Sequence, residues 1–150
     1  MRITERIRID RPAEDVWSVI ADLDSHPAWR PALVEFRQVS DGPLGVGSRI
    51  REVLQWRGRE IVLDDVVTAF DPPRRLGIRG GWKAADFELE LTLEPTGDGA
   101  TLVTFDWPFY PKSLLLRIAS PFLKGAMRRA TAEEARLLEA CVEALPVRSG

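Results

Sequence analysis

The chain has 150 residues, 45% of them hydrophobic and 29% charged, with a formal net charge of −2. That length can bury one sizeable core and fits a single domain over residues 1–150. The slight acidic excess also removes the broad basic field expected of a nucleic-acid binder. One cysteine excludes an internal disulfide and fits a reducing, cytoplasmic setting, and no apolar run approaches the length of a membrane span.

Arg2 to Asp10 alternates, with Ile3, Ile7 and Ile9 on one side and Arg2, Arg6, Arg8 and Asp10 on the other, which is the pattern of a half-buried strand. Pro12 to Asp15 then turns into a short helix whose apolar face is Val16, Trp17, Val19 and Ile20. Asp22 to Pro31 holds two prolines and the only histidine, and reads as a loop or one or two helical turns ending in Trp29. Leu33 to Val39 is another strand. The glycines at 42, 45 and 47 do not form a phosphate loop, because such a loop needs a following helix and Ser48 to Trp56 reads as a strand. Arg57-Gly58 turns into a long β-rich run, Arg59 to Phe70, which ends at Asp71-Pro72-Pro73.

Arg74 to Gly80 reads as a shorter strand that Gly80-Gly81 breaks. In the next strand Ala85, Phe87, Leu89, Leu91 and Leu93 alternate strictly with polar residues, the clearest such signal in the chain. Thr96-Gly97-Asp98-Gly99 is a hairpin turn into Ala100 to Trp107, and Pro108 to Pro111 leads out towards helix. The long final helix is expected from Ser120 to Leu145, with Ser120 as cap and Pro121 at the first helical position. Its apolar stripe is Leu123, Met127, Ala130, Leu137, Cys141 and Leu145. Gly125, Ala126, Ala130 and Ala135 make its first half slender, which leaves room against a sheet. The order of elements is an α+β layout, an antiparallel sheet with helices gathered on one face.

Little in the residues suggests catalysis. His26 and Cys141 are the only residues of their types, so no metal site, cofactor or nucleophile is expected from them. Asp64 and Asp65 are adjacent on a strand, so one of them faces inward and needs a partner such as Arg51 or Arg79. No catalytic residue is assigned, and Asp65 and Arg51 are the weak candidates for proton transfer.

Several short motifs together carry a resemblance. They are Ile7 to Ile9 followed by Arg11-Pro12-Ala13-Glu14-Asp15-Val16-Trp17, then Ala21-Asp22 and Pro27-Ala28-Trp29-Arg30-Pro31. Further on come Gly45-Val46-Gly47-Ser48, Phe70-Asp71-Pro72-Pro73-Arg74-Arg75-Leu76 and Gly97-Asp98-Gly99-Ala100-Thr101. Over nearly its whole length the chain resembles the START-like helix-grip superfamily, in its polyketide cyclase/dehydrase and lipid-transport (SRPBCC) branch. The resemblance implies a curved antiparallel sheet of about six to seven strands around a long C-terminal helix, with two short helices after strand 1. It also implies an apolar cavity between sheet and helix.

The resemblance and the strand alternation together give an expected lining of Leu63, Asp65, Phe87, Leu89, Leu91, Trp107 and Met127. Tyr110, Leu114, Leu115 and Ile118 mix apolar bulk with nearby positive charge, and are expected to form a gate with a hinge at Ser120-Pro121. Binding or transport of a lipid, polyketide or isoprenoid-like molecule is the leading expectation. A cyclase, dehydratase or aromatase using the same cavity is the alternative, and an interaction protein with a filled core is the third. The expected partner is a hydrophobic small molecule, with transient membrane contact; the oligomeric state is left open.

Overall fold

A computed structural model describes residues 1–147. The chain opens with β1 (Arg2–Ile9), α1 (Ala13–Ile20), a single 3-10 turn at Leu23–Ser25 and α2 (His26–Trp29). Six strands follow: β2 (Leu33–Gln38), β3 (Arg49–Trp56), β4 (Arg59–Asp71), β5 (Arg75–Trp82), β6 (Ala85–Pro95) and β7 (Thr101–Pro111). The last element is α3 (Leu114–Glu143). The strands form one antiparallel sheet in the order β1-β7-β6-β5-β4-β3-β2, so hairpins make every pairing except β1 with β7.

Alternation sorts the strands onto two faces, as the sequence suggested. Ile3 and Ile9 of β1, Ile50 of β3, Leu63 and Val67 of β4, Leu91 and Leu93 of β6 and Val103 and Phe105 of β7 are all buried. They face α3, which packs against β1, β7, α1 and α2. Each such aliphatic side chain contributes roughly 1.5–3 kcal/mol. Arg11 fixes the far end of the helix: its guanidinium holds Asp15 at 3.0 Å and donates to the carbonyl of Glu143, the last helical residue, and to those of Leu145 and Pro146 just beyond it.

Three local expectations are corrected. Gly80-Gly81 does not break β5, which runs on to Trp82 and pairs Gly80 with Phe87 and Gly81 with Asp86. Glycine is there for close approach, since a Cβ on Gly80 would lie 1.9 Å from Asp65 Oδ1. β7 likewise continues through Pro108, which is opposite Arg2, while the β6–β7 ladder lapses between Phe87↔Phe109 and Glu90↔Asp106, where proline has no N–H to give.

The third correction concerns the long helix, which starts at Leu114 and not at Ser120. Ser113 is the cap, its Oγ accepting from Leu116 N at 3.1 Å, and Pro121 lies inside the helix. The buried stripe is Thr131, Ala135, Leu138 and Val142, with Leu137 and Cys141 only packed against its edge.

Candidate functional site

No residue of α3 from Leu114 to Ala130 is fully buried; the helix seals against the core only from Thr131 onward. Between the first half of α3 and the sheet lies a cavity of about 420 Å³, within the range of about 300–1,000 Å³ typical of small-molecule sites. Strand alternation builds its sheet wall: Glu52 and Leu54 from β3, Leu63 from β4, Ile78 from β5, Phe87, Leu89 and Leu91 from β6, and Phe105, Trp107 and Phe109 from β7. The helix adds Leu116, Leu123, Ala126, Met127 and Ala130, then Thr131 and Glu134. At about 1.5 Å per residue this stripe is roughly 27 Å long, and it turns from apolar to polar along that length. At the apolar end Trp56, which is 55% exposed, brings the cavity to the surface beside Trp82 and Ala84.

The inner end holds the ionisable groups. Arg30, the residue that ends α2, donates to Glu52 of β3 at 3.1 Å, with side-chain exposures of only 12% and 4%. Burial opposes charge on Arg30, but the negative fields of Glu52, Glu134 and Asp65 outweigh it and raise its pKa. Asp65 sits beside this pair, 2% exposed and with neither oxygen in hydrogen-bonding geometry to a donor. Burial, then the charge of Glu52 and a hydrogen bond with it that only the protonated acid can make, push its pKa up to about 9. Burial, partly opposed by Arg30, raises Glu134 on the helix to about 7.

His26 completes the inner end. Its Nε2 lies 2.7 Å from the carbonyl of Ile20, which can only accept, so Nε2 carries the hydrogen and Nδ1 is a bare lone pair. The ring stacks on Phe36, with centroids 4.5 Å apart, and burial and the charge of Arg30 lower its pKa to about 3. His26 is therefore a neutral wall residue. Nδ1 of His26 and the indole nitrogens of Trp29 and Trp107 are buried without a hydrogen-bond partner. All three residues line the cavity.

Of the residues expected to line a ligand site, Leu63, Phe87, Leu89, Leu91, Trp107 and Met127 lie on the cavity wall. Asp65 is placed differently: it faces inward but sits behind Glu52, filling the space that Gly80 leaves. Neither Arg51 nor Arg79 is its partner. Arg51 is opposite Asp64 on the outer face and reaches Glu35 at 3.4 Å, and Arg79 lines an outer groove with Asp64, Asp86 and Tyr110. Tyr110 thus points away from the cavity, while Leu114, Leu115 and Ile118 are exposed on the outer side of α3, and Leu116 and Leu123 point in.

Sequence reasoning missed Arg30, Glu52 and Glu134. Two signals were present. Glu52 shares the inward parity of Ile50 and Leu54, and Glu134 falls seven residues after Met127, on the same helical face. Among the described residues no group of three or more His, Cys, Asp or Glu side chains is placed to hold a metal ion.

A family profile described as "Polyketide cyclase / dehydrase and lipid transport" matches residues 1–143. No curated protein matches the sequence. Among solved structures, the Zhui aromatase/cyclase from Streptomyces sp. R1128 superposes with a TM-score of 0.81 at 15% identity, covering 95% of this chain and 93% of its own. A START superfamily protein from Mycobacterium smegmatis gives 0.80 at 18% identity, with 97% and 99% covered. TTHA0849 from Thermus thermophilus gives 0.77 at 16% identity, with 96% and 98% covered. At these identities the likeness concerns the fold, a helix-grip sheet around a long C-terminal helix.

Proposed function

The chain belongs to the polyketide cyclase/dehydrase and lipid-transport family, and from that premise we propose that it binds or carries a hydrophobic small molecule in the cavity between sheet and α3. We read residues 1–150 as one such domain, working in the reducing cytoplasm. The observation that carries this reading is the cavity itself, about 420 Å³ with a mainly aliphatic and aromatic wall. A filled-core interaction protein has no use for such a space. The test is native mass spectrometry of protein purified without detergent, then titration with lipid, polyketide-like and isoprenoid compounds. A stoichiometric apolar adduct supports the reading, and failure to take up any of these compounds overturns it.

Access belongs, in this reading, to the first half of α3. Its lack of buried residues leaves it weakly anchored, and it carries Leu114, Leu115, Ile118 and Phe122 at exposures of 64–84%. No acidic residue lies between Asp106 and Glu133, whereas Lys112, Arg117, Lys124, Arg128 and Arg129 do, a composition suited to brief contact with an anionic membrane. The gate keeps Leu114, Leu115 and Ile118 and drops Tyr110, and it moves as a helical unit and not about a break at Ser120. Hydrogen exchange should be fast here in the empty protein and slow in the filled one. Loss of sedimentation with anionic vesicles in Phe122→Asp, with neutral vesicles as control, tests the membrane contact.

One observation favours an enzymatic second reading. Glu134 is a carboxyl on the cavity wall with its pKa raised to about 7, which suits a group that gives and takes a proton at neutral pH. A catalyst of cyclase or dehydratase type would use it in place of Arg51. Turnover of a polyketide-like substrate that Glu134→Gln abolishes would support this reading, and its absence across such substrates would remove it.

A further inference from the structure

The inner end of the cavity holds one permanent cation and two carboxyls on its wall, with a third carboxyl, that of Asp65, behind Glu52. Arg30 at the end of α2, Glu52 of β3, Asp65 of β4 and Glu134 of α3 converge there, with neutral His26 of α2 beside them. The single cation is already engaged, because Arg30 is bonded to Glu52 at 3.1 Å with both side chains buried. Asp65 keeps its proton and needs no counter-ion, whereas Glu134, on the wall, forms no ion pair among the described residues. We infer that this end of the cavity receives a protonated nitrogen, so that the bound molecule is a hydrophobic amine and not a fatty acid or a neutral alcohol. The inference rests on the cavity-binding reading above and specifies its ligand.

An independent feature points to the same ligand. His26 is 2% exposed, lines the cavity and has an unpartnered Nδ1. With Nε2 donating to Ile20, that nitrogen can only accept. An ammonium group brings three N–H donors and no acceptor, which suits the unfilled lone pair of His26 and the unpaired carboxyl of Glu134 on the same cavity wall. A carboxylate could accept from the indole N–H groups of Trp29 and Trp107 but would lie against Glu52 and Glu134 with Arg30 already taken. An alcohol could fill one hydrogen bond but would leave Glu134 without a counter-ion.

Proton linkage follows from the same geometry. Burial holds a proton on Glu134 up to about pH 7, and a bound cation favours the ionised form, so amine binding releases that proton. Affinity for the amine should therefore rise by up to about tenfold per unit between roughly pH 5 and 7 and then level off.

Decylamine, decanol and decanoate share one chain length and differ only at the head, so isothermal titration of the full chain with each separates the classes. The expected result at pH 7 is decylamine binding about tenfold or more tightly than either of the others, with affinity rising from pH 5 to 7 for the amine alone. Glu134→Gln should bring decylamine to within about threefold of decanol. Should that variant fail to fold, the wild-type pH profile decides. Decanol or decanoate binding as tightly as decylamine, or an amine affinity flat with pH, overturns the amine assignment and leaves the cavity reading standing. Failure of all three to bind overturns both.

Discussion

Ser120 Oγ donates to the carbonyl oxygen of Arg117 at 2.8 Å, and that carbonyl is the one Pro121 leaves without a helical N–H. The hydroxyl thus replaces the hydrogen bond that proline removes one turn later, which is why α3 runs unbroken through a residue that ordinarily ends or kinks a helix. Ser120→Ala should cost about 0.5–1 kcal/mol. It should cost much less in a Pro121→Ala background, where residue 121 again supplies the donor. Thermal unfolding of the four proteins in a double-mutant cycle checks this, and an equal cost in both backgrounds would show that the hydroxyl does not compensate for the proline.

The same pair of residues shows where sequence reading reached its limit. Ser-Pro is also a helix-start signal, and only the Ser113 cap, seven residues earlier, decides between start and interior. The sheet was legible because each strand buries one face, so period-two alternation in β1 and β6 records it directly. Gly80-Gly81 read as a break because a glycine that makes room for Asp65 looks no different in sequence from one that makes a turn. The apolar lining of the site followed from parity. Of the ionisable end only Asp65 was marked, as one of an adjacent pair on a strand; Arg30, Glu52 and Glu134 come from three other elements and nothing local links them to it.

Asp65 should make the protein less stable as pH rises. Its ordinary value is 3.8 and burial beside Glu52 pushes it to about 9 in the fold. Between those values the unfolded chain has lost the proton that the folded chain keeps, so stability falls with increasing pH by up to about 1.4 kcal/mol per unit. Glu134 adds the same sign up to about pH 7. Asp65→Asn removes the Asp65 contribution. It should match the wild type near pH 4 and exceed it at pH 8 in urea denaturation, and a variant less stable than wild type at pH 8 would contradict the burial of a protonated acid here.

Arg30 and Glu52 should not be equivalent partners. Arg30→Met leaves Glu52, Asp65 and Glu134 around an apolar side chain, at a cost of about 3–5 kcal/mol when these acids are ionised. The penalty should shrink at pH 5, where the carboxyls can take up protons. Glu52→Gln leaves Arg30 still facing Asp65 and Glu134, both of which can ionise to meet it, so it should cost less than Arg30→Met at pH 8. Chemical denaturation of both variants at pH 5 and 8 tests the ordering, and a larger loss for Glu52→Gln at pH 8 would reverse the assignment of the scarce charge.

Leu89 and Leu93 lie on the same face of β6, four residues apart, yet an added ring should meet different surroundings at each. Leu93 is 2% exposed and belongs to the packed core, so Leu93→Trp has no space to enter and should destabilise or unfold the chain. Leu89 is only half-buried because it borders the cavity, so Leu89→Trp can turn its indole into the void and should cost no more than about 1–3 kcal/mol. The ring then occupies space a ligand would use, and decanol uptake should fall severalfold in a variant that keeps the wild-type circular dichroism. If Leu89→Trp folds and binds decanol as the wild type does, the cavity between the sheet and α3 is not where the ligand goes.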